Sequence, residues 1–82
     1  MNEQDQQAKH RGRRYRGYAY GDTPDELEPY ALNKAREIFG KDARLEVVRD
    51  YTVYEVDKFS VSARRQAENK KLRADIFVLV HD

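Results

Sequence analysis

The chain of 82 residues contains no cysteine, no tryptophan and no long hydrophobic run. Without cysteine it cannot form disulfides, present a thiolate nucleophile or build a cysteine-based zinc site. No segment approaches the roughly 20 apolar residues of a membrane-spanning helix, so we expect no membrane partner. The residues that follow Met1 are polar and lack the apolar centre of a secretory signal, and we therefore expect a cytoplasmic protein.

The length predicts one domain with a limited core. Chains below about 70–80 residues rarely stabilise a core without disulfides, metals or partners, and this chain is barely longer. Residues 1–13 are polar and without periodicity, so we expect a disordered basic tail. Residues 14–82 are expected to form the single folded domain.

The charge is unevenly distributed although its net value is only +1. The stretch from Lys9 to Tyr20 carries cations and no acidic residue. These cations are Lys9, Arg11, Arg13, Arg14 and Arg16. Such asymmetry is typical of a chain that contacts a polyanion, or of a solvated tail.

Three extended segments are expected. Residues 14–20 are rich in tyrosine, which favours a half-buried strand. Residues 44–61 predict a long second strand whose apolar alternation shifts near Val53, as at a bulge or bend. Residues 62–71 are polar and predict a hairpin loop, with a short helical turn as the alternative. Residues 72–80 predict the last strand.

The segment after the first strand carries the signals of one helix. Thr23 is the predicted N-cap, Pro24 occupies the first helical position and Glu26 completes a capping box. The apolar face at helical spacing consists of Leu27, Ala31, Ala35, Ile38 and Phe39. Gly40 is the expected stop. Pro29 lies deeper in the helix, so it should bend the helix or remove one backbone bond.

The order of elements predicts an α+β fold, β-α-β-β, in which a three-stranded antiparallel sheet packs on one helix. The helix can cover only one face of this sheet, whereas the last strand is apolar on both faces. Burying a side chain such as Phe77 or Leu79 is worth about 1.5–3 kcal/mol. An exposed apolar face usually marks an interface, and we therefore expect a homo-oligomer.

Three segments resemble the dodecin family in pattern. They are residues 21–28 (GDTPDELE), the triplet Leu45-Glu46-Val47, and residues 71–78 (KLRADIFV). The resemblance extends over residues 14–80. It implies a three-stranded sheet that wraps one helix, assembly into a hollow dodecamer, and storage of a flavin or another ligand between subunits.

The family's flavin-contacting residues are replaced here. Flavin-binding dodecins stack the ring on a strand tryptophan, near whose position this chain has Arg44. Their last-strand glutamine corresponds to Asp75 or a neighbour. We therefore expect no flavin cofactor. A small-ligand site between subunits would be lined by Arg44, Arg49, Tyr51 and Asp75.

A nucleic-acid-binding protein is the alternative hypothesis. Arg16-Gly17-Tyr18-Ala19-Tyr20 matches the start of the RNP1 pattern, whose strand aromatics stack on bases, but the match ends at Gly21. A basic tail can neutralise phosphates without reading sequence. The residues expected to take part are Lys9, Arg11, Arg13, Arg14, Arg16, Tyr18, Tyr20, Arg64 and Arg65.

Catalysis is the least favoured hypothesis. His10 and His81 are the two histidines, and neither has converging partners that would predict a general base or a metal site. Ser60 and Ser62 lack a nearby histidine and a glycine elbow. We therefore expect a non-enzymatic, self-assembling protein with no catalytic residue and no metal.

Overall fold

The structure is a computed structural model that describes residues 13–81. It contains an antiparallel sheet and two helices, which confirms the expected α+β class. The strands are β1 (Arg14–Gly21), β2 (Arg44–Val48), β3 (Val53–Glu55) and β4 (Leu72–His81). The helices are α1 (Leu27–Phe39) and α2 (Val61–Gln66).

Strand β4 lies at the centre of the sheet. Strand β1 pairs along one of its edges, from Arg14 opposite Leu79 to Gly21 opposite Leu72. Strands β2 and β3 share the other edge, with β2 beside the end of β4 and β3 beside its beginning. All three pairings are antiparallel.

The expectation of three strands is wrong, because the described chain has four. Residues 49–52 leave the sheet at the point where Arg49 and Tyr51 hydrogen-bond to Glu28 on α1. The predicted strand therefore ends at Val48 and resumes for only three residues. Beyond it, Ser60 accepts a hydrogen bond of 3.1 Å from the Ala63 N–H and starts α2. The helical alternative for this region is the one that forms.

The start of the first helix also differs from the expected capping box. Pro24–Glu26 form a 3-10 turn, and the Thr23 side chain makes no cap hydrogen bond. The Glu26 carboxylate accepts a 2.9 Å bond from the Asp22 N–H instead. Pro29 lies in the first turn of α1, where N–H groups have no helical partner, so it removes no bond from the helix. Gly40, with φ of +104°, ends the helix as expected.

The core lies between α1 and one face of the sheet. Leu27, Ala31 and Ala35 of α1 are fully buried, as their spacing predicts, whereas Ile38 is 61% exposed and does not join them. The sheet contributes Ala19, Val47, Ala74, Ile76 and Val78 to the same cluster. Within residues 13–81 the only large side chains that are fully buried are Leu27, Ile76 and Val78. The core is therefore thin.

Candidate binding surface

The sheet surface that faces away from α1 is the candidate site. Side chains alternate along a strand, so buried Ala74, Ile76 and Val78 face the helix while their neighbours face the other way. The strand register adds residues of β1 and β3 to the same side. We call this surface the open face; its central residues are Arg14, Arg16, Tyr18, Tyr54, Arg73, Asp75 and Phe77.

Arginines and aromatic rings alternate on the open face. The guanidinium carbons of Arg14 and Arg16 lie 5.7 and 5.2 Å from the centre of the Phe77 ring. Arg73 lies 5.2 Å from the ring centre of Tyr18 and 5.6 Å from that of Tyr54. These distances are within the range of cation–π attraction. The arginines partly cover Phe77, while Tyr18 and Tyr54 stay 52% and 53% exposed.

Asp75 is the acidic group at the centre of this surface. Its Oδ2 atom accepts hydrogen bonds from Arg16, at 2.9 Å from Nη2 and 3.1 Å from Nε. This hydrogen bond, together with the negative charge of Asp75, raises the pKa of Arg16. Asp75 is therefore engaged within its own chain, and a ligand that binds it has to compete with Arg16.

A second polar pair lies where β2 runs beside the end of β4. Glu46 and His81 approach to 2.7 Å between Oε1 and Nε2. Arg44 stands opposite His81 in the register, on the same side of the sheet as Asp75. His81 thus has a carboxylate partner, although both side chains are more than half exposed.

Two of the predicted ligand-binding residues lie on the other side of the sheet. The Tyr51 hydroxyl donates a 2.8 Å hydrogen bond to Glu28 on α1, and Arg49 contacts the same carboxylate at 3.3 Å. The bond from Tyr51, and then Arg49, lower the pKa of Glu28, against a smaller opposing effect of burial. Within one chain, Arg49 and Tyr51 lie together, whereas Arg44 and Asp75 lie apart from them and from each other.

The residues of the nucleic-acid hypothesis are similarly divided. Arg14, Arg16 and Tyr18 lie on the open face, and Arg64 and Arg65 are on α2. Lys9 and Arg11 are outside the described residues, as is the predicted tail except Arg13.

The remaining two residues of that hypothesis make contacts with α1. The Arg13 side chain lies over Phe39, at 5.5 Å from the ring centre. Tyr20 is paired with Arg73 in the register, its ring centre lies 6.4 Å from that of Tyr18, and the ring also meets Tyr30 edge to face at 5.6 Å. Burial raises the pKa of Tyr20.

Three residues of the open face were not among those predicted to bind a ligand or a nucleic acid. They are Tyr54, Arg73 and Phe77, of which Phe77 was expected on the exposed apolar face of the sheet. The alternation of Arg73, Asp75 and Phe77 with buried residues was visible in the sequence and could have assigned them to one surface. Tyr54 could not be found in this way, because its place beside Arg73 depends on how β3 pairs with β4.

Comparison with protein-family models, curated proteins and solved structures finds no match to this chain. No helix within residues 13–81 is both long and apolar enough to cross a membrane. In the same residues no three His, Asp or Glu side chains gather as a potential metal site. The side chains at the centre of the open face are mainly those of arginine, tyrosine and phenylalanine.

Proposed function

We propose that this chain is a non-enzymatic protein that assembles with copies of itself through the open face, in a dodecin-like arrangement. The order of strands supports the proposal, since the chain runs from an edge strand through α1 to the opposite edge and then to the centre. If β2 and β3 are counted as one interrupted strand and α2 as an insertion before β4, this order is compatible with the β-α-β-β order that the resemblance implies.

The observation that carries the proposal is the partly covered apolar surface of the open face. Val48, Phe77 and Leu79 lie side by side there and are only half-buried. A second copy that covered them would bury apolar area, at about 25 cal/mol for each Å². The apolar area buried by a second copy matters here because the core is thin, and a small domain has little other apolar burial to stabilise it.

The charges of the open face favour a second copy as its partner. The surface carries both signs, with Arg16 beside Asp75 near its middle and Glu46 towards one end. In an isologous contact the same surface meets itself, so an arginine of one copy can face a carboxylate of the other. The net charge of +1 gives little repulsion between copies.

A ligand site between subunits follows from the same geometry. Asp75 and His81 are six positions apart on β4, which is about 20 Å along a strand. A two-fold axis near Val78 would set Asp75 of one copy against Arg44 and His81 of the other. Arg44 and Asp75, two predicted ligand-binding residues that lie apart in one chain, would then lie close together across the interface.

Native mass, measured by light scattering on nuclease-treated protein, tests the proposal. We expect a closed oligomer for the unmodified chain, and a smaller species for Phe77→Thr, which removes the ring but introduces a residue that also favours strands. Phe59→Thr is the matched control, because Phe59 is 85% exposed and lies outside the sheet. Circular dichroism verifies that each variant is folded.

Each result bears directly on assembly through this face. A monomer for the unmodified chain at micromolar concentration overturns the proposal. An oligomer that Phe59→Thr disrupts and Phe77→Thr does not would move the interface away from the open face. Visible absorbance that co-elutes with the oligomer would reveal a bound ligand and its class.

Binding of single-stranded nucleic acid is a second candidate function, and one observation favours it. Tyr18 and Tyr54 expose half of their surface on either side of Arg73, so the sheet offers stacking rings together with cations. Base–aromatic stacking is worth about 1–3 kcal/mol for each base and requires no particular sequence. The basic residues that precede β1 would add salt-dependent contacts to phosphates.

Anisotropy of a labelled single-stranded oligonucleotide tests this second function. Tyr18→Ala and Tyr54→Ala should each weaken binding by about tenfold, since each removes one stacking platform. Arg36→Ala, on the exposed side of α1, is the control for loss of a cation. Removal of residues 1–13 should lower the affinity and flatten its salt dependence. Equal effects of the tyrosine variants and of Arg36→Ala would reject the open face as the binding surface.

A further inference from the structure

A cleft at the beginning of β4 collects basic side chains from three separate segments. It has a volume of about 440 Å³ and is bordered by β3, α2 and the first residue of β4. Lys58 comes from the loop before α2, Arg64 from α2 itself, and Lys70 and Lys71 from the turn that leads into β4. We call it the basic cleft.

The walls of the basic cleft are held by hydrogen bonds. The Asn69 N–H donates to the Arg64 carbonyl at 2.8 Å, and the Val56 N–H donates to the Lys71 carbonyl at 2.8 Å. The Lys71 N–H donates to the Asp22 carboxylate at 3.2 Å. Because these bonds tie the turn to α2, to the β3 side and to the end of β1, the cleft is formed before any ligand binds.

The backbone of the turn gives a second indication that the sequence specifies the shape of the basic cleft. Glu68 and Asn69 both have positive φ, of 56° and 62°, in the left-handed region that non-glycine residues rarely occupy. Asparagine tolerates this conformation, whereas for glutamate it is uncommon. The Tyr30 hydroxyl binds the Glu68 carboxylate at 2.8 Å, which offsets part of the strain. The turn thereby presents Lys70 and Lys71 to the cleft.

The charges in the cleft are not balanced. Four cations face two carboxylates, Asp22 and Glu55, which leaves two positive charges. Lys70 approaches Asp22 at 3.9 Å, while among the described residues no carboxylate lies within ion-pair distance of Lys58, Arg64 or Lys71. Val56 and Leu72 add apolar surface to the lining. The cleft thus offers two unneutralised charges beside an apolar wall.

We propose that the basic cleft binds a small phosphate monoester of about the size of a mononucleotide. A phosphate monoester carries close to two negative charges at neutral pH, which matches the unbalanced charge of the cleft. Arginine and lysine are the side chains that bind phosphate oxygens through charge-assisted hydrogen bonds. The organic part of the ligand would lie against Val56 and Leu72. The volume suits a compact ligand, and the site does not depend on assembly through the open face.

Isothermal titration of the full chain with adenosine 5′-monophosphate tests the proposal, with adenosine and inorganic phosphate in parallel. The monophosphate should bind more tightly than adenosine or inorganic phosphate, because only the monophosphate has both a doubly charged phosphate and an organic group that can pack against the apolar wall. Arg64→Gln and Lys71→Gln should each weaken binding by about tenfold, the effect of one lost charge-assisted hydrogen bond. Arg65→Gln is the matched control, since this neighbouring residue of α2 has the same charge but does not line the cleft.

Three results would overturn the proposal. The first is the absence of heat with millimolar monophosphate. The second is an equal loss of affinity in Arg64→Gln and Arg65→Gln, which would indicate general attraction of anions to α2. The third is stronger competition by a short oligonucleotide without terminal phosphates, which would assign the cleft to a phosphodiester backbone. Near-ultraviolet circular dichroism of the tyrosines verifies that each variant retains its fold.

Discussion

The hydroxyl of Tyr30, on α1, donates a 2.8 Å hydrogen bond to the carboxylate of Glu68, 38 residues further along the chain. This bond connects the helix that packs on the sheet with the turn that follows α2. The Tyr30 ring also stands edge to face against Tyr20 of β1. One side chain therefore ties α2 and its turn, a part of the chain with few buried residues, to the body of the fold.

Removal of this hydroxyl should destabilise the protein without disturbing its core. We expect Tyr30→Phe to lower the free energy of unfolding by about 1 kcal/mol, because the hydrogen bond is lost while the ring keeps its packing. Urea unfolding followed by circular dichroism measures the change. Tyr54→Phe is the control, since its ring lies half exposed on the open face. Identical urea midpoints for Tyr30→Phe and the unmodified protein would contradict a stabilising role for the bond.

Alkaline pH should weaken the fold through its tyrosines. Burial raises the pKa of Tyr15, Tyr20, Tyr30 and Tyr51, and Glu68 raises that of Tyr30 further. A raised pKa means that the fold favours the neutral phenol. The resulting stabilisation is complete below the unfolded value of about 10 and is lost as the pH rises through the folded values.

Unfolding experiments between neutral and strongly alkaline pH test this dependence. Stability should fall above pH of about 10, and the fall should be shallower in Tyr30→Phe, which has one shifted phenol fewer. Phenolate absorbance should rise at lower pH for the chain in urea than for the folded protein. Coincident absorbance curves for the two states would show that burial does not protect these hydroxyls.

Glu28, with its partners Tyr51 and Arg49, should make the stability of the fold depend on pH in the opposite direction, with the loss at acidic pH. Tyr51 and then Arg49 lower the pKa of Glu28, so the fold favours its ionised form. The stabilisation is present above the unfolded value of about 4.3 and is lost as the pH falls through the folded value. Because the carboxylate is partly exposed, solvent screening limits the expected effect to less than about 1 kcal/mol.

Glu28→Gln and Tyr51→Phe test the cluster at two pH values. At neutral pH both variants should be less stable than the unmodified protein, and on acidification below the Glu28 pKa the deficit of Glu28→Gln should shrink. Glu37→Gln, an exposed glutamate on the same helix, is the control for loss of one negative charge. A deficit of Glu28→Gln that is the same at neutral and acidic pH would mean that ionisation of Glu28 contributes nothing.

The local signals of the sequence predicted the main elements of the fold. Periodicity located β1, α1 and β4, and the position of Gly40 marked the end of α1. Local signals could not predict that the second strand is interrupted, because the shift in its apolar alternation indicated only a bulge or bend near Val53. Residues 49–52 leave the sheet where Arg49 and Tyr51 bond to Glu28, more than 20 residues earlier in the chain.

The candidate site was predicted less completely than the fold, for a related reason. Arg16 and Asp75 were both singled out, but for different sites, since nothing local connects residues that are 59 positions apart. Tyr54 could not be assigned to this surface, because only the register of β3 on β4 places it beside Arg73. A surface assembled from three strands becomes visible only when their pairing is known.

Gly21 and Gly17, both on β1, should respond differently to the same substitution by alanine. At Gly21 a new Cβ would lie 2.7 Å from the Glu26 Cβ and 3.2 Å from the Thr23 carbonyl oxygen. Both atoms are fixed by the backbone of the 3-10 turn, so the turn itself has to move. At Gly17 the new Cβ would meet the Tyr15 hydroxyl, but that hydroxyl ends a side chain that can rotate.

Gly21→Ala should therefore cost about 1–3 kcal/mol of stability, as overpacking of a fixed site does, and Gly17→Ala less. Thermal unfolding of the two variants measures the difference. Adding Glu26→Ala to Gly21→Ala should not restore stability, because alanine keeps the Cβ that clashes, whereas adding Glu26→Gly should recover part of it. Recovery of stability with Glu26→Ala would instead place the clash in the Glu26 side chain beyond its Cβ. It would also show that the turn at the start of α1 can accept a side chain at Gly21.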